Sequence, residues 1–165
     1  MAILLVFFFL SVTCLQAKEK CPKIKDKDAI KLYEKAASLL EKGWEKNWKE
    51  AYSNLKEATK IEPEYYDAYY QLAMINYRKA IKAYNDPRTI ASVTQFNNAM
   101  VKYLEKVIEL CPGHQDYQSY YYLGDLYYNE KDYSKAQKYL NLYIESSENG
   151  QGKLEIASNY VHRIK

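Results

Sequence analysis

The chain is short of the residues that build tight turns: of 165 residues, only five are glycine and four are proline. An all-β fold threaded through many hairpins uses more of both, so the scarcity points to helices. Histidine occurs twice, and the three cysteines, Cys14, Cys21 and Cys111, show no short pairwise spacing. With no Gly-rich phosphate loop either, the sequence lacks the ligand set of a metal enzyme and the cradle of a nucleotide enzyme, and no cofactor is expected. Charge of one sign is missing too: 24 Lys and Arg stand against 21 Asp and Glu, a net charge of +3 with no basic block. That balance gives no reason to expect a nucleic-acid partner. What the chain has is tyrosine, 19 copies in a composition that is 48% hydrophobic and 27% charged. This length and hydrophobicity suffice for one sizeable buried core.

The longest apolar run comes first. From Ala2 to Val12 nearly every residue is apolar, and the chain turns charged at Lys18, Glu19 and Lys20. The run is shorter than the ~20 residues that cross a bilayer as a helix. Followed by Leu15-Gln16-Ala17, it reads as a secretory signal peptide over 1–17, which makes the mature chain secreted or periplasmic. A second reading rests on Cys14, which resembles the lipid-modified cysteine of bacterial lipoproteins, with Thr13 where that family carries Gly, Ala or Ser. Lipidation there would give a membrane-anchored lipoprotein, and membrane contact is expected only in that case. Cleavage after Ala17 leaves Cys21 and Cys111 in an oxidising compartment, either bridged or as two free thiols.

The body of the chain repeats itself. Ala51, Leu55, Ala58 and Pro63 share their spacing with Met100, Leu104, Val107 and Pro112. Steps of four and three place each trio on one helical stripe, and the proline ends the helix. Ala136, Leu140 and Tyr143 form a third copy without the closing proline. Upstream of each lies a second amphipathic helix, most fully patterned in the third unit as Tyr120, Leu123-Gly124, Tyr127 and then Tyr133. This order of aromatic, Leu-Gly, Tyr, Tyr, Ala and Leu resembles the tetratricopeptide repeat, a helix-turn-helix unit of about 34 residues. Gly124 and Ala136 then mark the close crossing of two antiparallel helices.

The resemblance implies an all-α solenoid of about three helix pairs over 28–165, after a short extension at 18–27. Its units are expected at about 30–63, 66–112 and 117–148, with a capping helix at 153–165. Pro63 and Pro112 stand 49 apart, so the second unit is the long one. Continuing the first helix to Asn85 and starting the second at Asp86-Pro87 predicts helices of about 20 and about 24 residues, projecting ~10 Å beyond their neighbours. The Gly43–Trp48 connection of the first unit is expected to be a loop longer than usual, edged by Trp44 and Trp48. In such a stack the second helices end at the rim where the first helices begin. Cys21 can reach Cys111 there, its link to the first helix extending to ~23 Å.

The resemblance also implies a concave groove lined by the first helix of each pair. Carried onto this sequence, the groove residues are Asp67, Tyr70, Met74, Tyr77 and Arg78 in the second unit. In the third they are Gln118, Tyr121, Tyr122, Asp125, Tyr128 and Asn129, and in the first Lys31, Glu34, Ser38 and Glu41. A groove rich in Tyr suits an extended peptide or a partner helix. The basic carboxylate clamp found in part of the family is not matched, because Glu34, Ser38, Gln71, Gln118 and Tyr122 stand at its places. No catalytic arrangement surrounds His114 or His162, so the expected role is a non-catalytic adaptor for a protein or peptide partner. Two other roles remain open at this point: carbohydrate binding by stacked Tyr rings, and a structural subunit that forms homo-oligomers through the long hairpin.

Overall fold

The computed structural model describes residues 21–147 and 151–164. The signal-peptide and Cys14 expectations lie outside the described residues. Among the described residues seven α-helices follow one another: α1 Lys27–Glu41, α2 Trp44–Ile61, α3 Tyr66–Tyr84, α4 Val93–Leu110, α5 Gln118–Asn129, α6 Tyr133–Ser146 and α7 Gln151–Ile164. Among the described residues there is no strand. The fold is all-α, built from three antiparallel pairs, α1 with α2, α3 with α4 and α5 with α6. Successive pairs are joined where α2 meets α3 and α4 meets α5.

Local chemistry sets the helix ends. The Asp26 carboxylate accepts from the backbone N–H groups of Asp28 and Ala29, both at 2.9 Å, and so starts α1. Asp132 caps α6 in the same way through the Lys135 N–H at 3.2 Å. Gly43 turns α1 into α2 at φ 142°, a backbone region that side chains disfavour. Pro63 and Pro112, each shortly past the end of its helix, cannot donate to the preceding turn and stop α2 and α4.

The three repeated trios are the core. Ala51, Leu55, Ala58, Leu104, Val107, Ala136, Leu140 and Tyr143 are fully buried, and Met100 is 1% exposed. Facing them are Ala68, Leu72, Ala73 and Ile75 of α3 and Leu123 of α5. Gly124 sits so close to α6 that a Cβ built on it would stand 2.6 Å from the Leu140 side chain. Asn76, buried in α3, donates from Nδ2 to the Leu72 carbonyl at 2.8 Å, which satisfies that donor inside the core. Cys21 and Cys111 form a disulfide, with Cα atoms 4.7 Å apart, that ties the segment before α1 to the end of α4.

Two connections differ from expectation. The second hairpin does not contain a helix beginning at Asp86-Pro87. Asp86 instead closes a turn, its Oδ1 accepting from the Arg88 N–H at 3.0 Å and its carboxylate pairing with the Arg88 guanidinium. A single 3-10 turn at Ile90–Ser92 follows, and α4 starts at Val93 with 18 residues instead of about 24. The first hairpin has no long loop either. Only Lys42 and Gly43 separate α1 from α2, and Trp44 and Trp48 lie inside α2 with their rings stacked at 6.3 Å. The extra residues lengthen the helix because Gly43 alone makes the turn.

Candidate functional site

A cleft of about 520 Å³ opens among α1, α3 and α5, the first helices of the pairs, with Trp44 of α2 at its edge. Its apolar wall is made by Leu40, Trp44, Met74, Ile75, Tyr77 and Tyr122, and its polar groups are Gln71, Glu41 and Arg78. Five of these sit on α3, so one face of that helix presents Gln71, Met74, Ile75, Tyr77 and Arg78 together. Tyr77 and Tyr122 approach with ring centroids 5.3 Å apart and form the far wall. A second hollow of about 410 Å³ continues past them toward the hairpin tip, lined by Tyr77, Tyr84, Asp125 and Asn129 among others.

Expected groove residues therefore divide into two groups. Met74, Tyr77, Arg78 and Tyr122 line the cleft, and Asp125 and Asn129 line the second hollow. Tyr70, Tyr121 and Tyr128 do not present open ring faces. Tyr70 is 8% exposed, its ring set edge-on to His114 and its hydroxyl donating to Gln118 Oε1 at 3.2 Å. Tyr128 stacks on Tyr160 with centroids 4.1 Å apart, and Tyr121 packs on Tyr143 at 5.4 Å. Tyr70 is covered by the α4–α5 connection through His114; for Tyr121 and Tyr128 the physical reason is α7. A helical stack ends with an uncovered apolar face, and α7 covers it with Ala157 and Val161. In doing so it lays Tyr160 on Tyr128 and places Lys153 Nζ 5.1 Å from the Tyr121 ring and 4.6 Å from the Tyr122 ring. Lys153 also donates to Gln118 Oε1 at 2.7 Å. The Tyr121 and Tyr128 part of the third unit's groove is thus occupied by the chain itself, while Tyr122, Asp125 and Asn129 stay on the cleft and the second hollow. On α1, Lys31, Glu34 and Glu41 are exposed and Ser38 is half-buried.

Electrostatics make the cleft a place for hydrogen bonds and one fixed cation. Burial pushes the Tyr121 hydroxyl up to about 12, helped by the Asp125 carboxylate, and the same two causes raise Tyr77. These tyrosines therefore stay neutral, each able to donate and to accept. Asp125 is itself raised by desolvation, while hydrogen bonds from Tyr160 and Asn129 hold part of its charge. Arg78 is exposed and meets no carboxylate among the described residues, which leaves its five donors for a ligand.

Several neighbours of the site were not legible as such. Leu40 and Trp44 line the cleft, although the groove expectation names neither and Trp44 is expected at a loop edge. His114 is 9% exposed between Tyr66 and Tyr70, with Nε2 3.6 Å from Asp67 Oδ1. Its desolvation lowers its pKa to about 4. No His, Cys, Asp and Glu cluster capable of holding a metal is found among the described residues.

The fold and cleft together define a class: a stack of helical hairpins with an open concave face, closed at one end by its own last helix. Comparison with protein-family models and with curated proteins returned no match.

Proposed function

We propose that this chain is a non-catalytic adaptor, of the tetratricopeptide-repeat kind that its spacing resembles, which holds a peptide or protein partner outside the cytoplasm. The observation that carries this reading is the cleft between α1, α3 and α5, where apolar and aromatic side chains surround an unpaired Arg78. Such a lining binds by burial of an apolar anchor, with a few placed polar groups setting orientation. The Cys21–Cys111 disulfide suits an oxidising compartment, and no described helix is long and apolar enough to cross a membrane. Sugar binding draws less support, because many Tyr faces are taken by other rings, as in Tyr128 on Tyr160 and Tyr127 on Tyr139.

The test is site-specific crosslinking. A photo-reactive residue replaces Met74 in the cleft, and another replaces Lys102, which is exposed on α4 of the outer helix layer. The expected outcome is a discrete crosslinked protein from the native envelope or secreted fraction at Met74 only, diminished by Arg78→Ala. Equal products at both positions, or none at Met74, would refute the reading.

A further inference from the structure

The most exposed large apolar side chains are not scattered. Of the six with the greatest exposure among the described residues, four lie at the hairpin end of the stack: Tyr84 at 70%, Ile90 at 51%, Ile81 at 47% and Tyr133 at 46%. Clustered exposure of this kind marks a surface that something covers. The second hairpin also stands proud of its neighbours. Helix α3 has 19 residues against 15 in α1 and 12 in α5. At the rise of an α-helix the tip is therefore roughly 6 Å beyond the first hairpin and roughly 10 Å beyond the third. Tyr84 and Ile90 flank that tip.

The shoulders below it carry uncompensated positive charge. A shallow hollow of about 570 Å³ beside the tip is lined by Lys42, Trp44, Lys46, Arg78, Ile81 and Lys82. Most acids at this end are already engaged: Glu45 by Lys82, Asp86 by Arg88 and Asp132 by Lys135. Glu130 accepts from Asn97 at 3.1 Å. Lys42, Lys46 and, on the other shoulder, Lys131 are exposed and meet no carboxylate among the described residues. Glu41 and Glu130, the latter bonded only to the neutral Asn97 amide, are the acids at this end without a basic partner among the described residues, against the three lysines and the exposed Arg78.

We propose that the hairpin end docks on a bilayer surface rich in anionic lipid. Tyr84 and Ile90 enter the interface while Lys42, Lys46 and Lys131 meet headgroups at the two shoulders. The dimensions agree, since an interfacial element sinks about 5–10 Å into the headgroup boundary, close to the height of the tip above its shoulders. Tyrosine, apolar with a polar end, suits that depth. A second copy of the chain fits less well, because pairing tip to tip would turn each copy's unpaired lysines toward their counterparts. The proposal is independent of the cleft and of what the cleft binds.

The test is co-sedimentation of the chain from Lys18, which contains every residue of both hydrophobic clusters. Vesicles of equimolar phosphatidylcholine and phosphatidylglycerol are compared with vesicles of phosphatidylcholine alone. Binding is expected on the anionic vesicles, falling with added salt. Each of Lys42→Gln and Lys46→Gln is expected to weaken it about fivefold. Tyr84→Ser with Ile90→Ser, all exposed and unable to perturb the core, is expected to remove most of it while circular dichroism stays unchanged. Absence of binding to anionic vesicles, or binding indifferent to both pairs of substitutions, overturns the proposal. So does a lipid-free mass that rises with concentration and returns to monomer in the Tyr84→Ser/Ile90→Ser variant, which would assign the face to a second copy.

Discussion

Adding one methyl group at Gly124 gives the sharpest test of the helix crossing. In an open helix, Gly→Ala stabilises by up to about 1 kcal/mol through backbone entropy. At Gly124 the new Cβ would stand 2.6 Å from both Cγ and Cδ2 of Leu140 and 3.2 Å from the Leu140 backbone nitrogen. Leu140 is fully buried and has no solvent to move into, so α5 and α6 must part or Leu140 must leave its rotamer. With two atoms at 2.6 Å the overpacking cost falls in the upper part of its usual range, about 2–3 kcal/mol, which exceeds the propensity gain and leaves a net loss of about 1–2 kcal/mol. For a chain of this size that is a fall in Tm of about 3–7 °C. Gly152 provides the control of opposite sign, since nothing lies within 4 Å of its Cβ position in α7. Gly152→Ala is expected to be neutral or to raise Tm slightly. Thermal unfolding by circular dichroism reads both, and Gly124→Ala in a Leu140→Ala background is expected to lose most of its penalty because the cavity admits the methyl. A neutral or stabilising Gly124→Ala in the unaltered background would refute the close approach.

Three further outcomes follow from the same geometry. Reducing the disulfide frees a loop of 90 residues; the entropy argument sets the loss at about 4–5 kcal/mol at most. A urea midpoint unchanged by reductant, with thiols shown to be free, would contradict it. Burial holds His114 near 4, below the 6.5 of an exposed imidazole, so the folded state resists a proton that the unfolded chain accepts. Its contribution is complete above pH 6.5 and is lost as pH falls toward 4, by about 3 kcal/mol at the limit. Desolvation raises Asp67, which faces His114, so protonation of that carboxyl favours the folded state and offsets part of the fall. Denaturant midpoints from pH 7.5 to 4 should therefore decline, and a His114→Gln variant should decline less. Gly43→Ala places a Cβ at φ 142°, and its cost of about 1–3 kcal/mol should appear as a lowered Tm although the site is sterically open.

The helices were legible because their evidence is periodic. Ala51, Leu55 and Ala58 declare one face whatever surrounds them, and Pro63 declares where the face stops; all three apolar residues are fully buried. Connections carry no such redundancy. Asp86-Pro87 has the chemistry of a helix start and equally that of a turn, and Arg88, two residues on, decides between them by saturating the carboxylate. Gly43 decides the first hairpin in one residue, so Trp44 and Trp48 pass from the loop into α2. Burial of individual tyrosines was the least legible feature of all. Tyr70, Tyr77 and Tyr128 occupy equivalent kinds of position on their helices, but whether a ring meets solvent depends on what another segment lays across it. Tyr160 is 32 residues beyond Tyr128, past a break in the helical pattern, and nothing local to Tyr128 announces it.

That last contact limits what the adaptor reading allows. A stack whose concave face is open from end to end accepts an extended segment along several first helices. Here α7 covers Tyr121 and Tyr128 and sets Lys153 against Tyr122, so the cleft is bounded by the wall formed by Tyr77 and Tyr122, with the second hollow between α3, α4 and α5 on the far side of it. A ligand in the cleft would meet α1 and α3 and stop at α5. Its anchor must then be short, an apolar side chain among Leu40, Met74 and Tyr122, with an acceptor within reach of Arg78. Selectivity would come from that one anchor and its neighbouring acceptor, because α7 takes up the Tyr121 and Tyr128 face of α5 along which an extended segment would otherwise run.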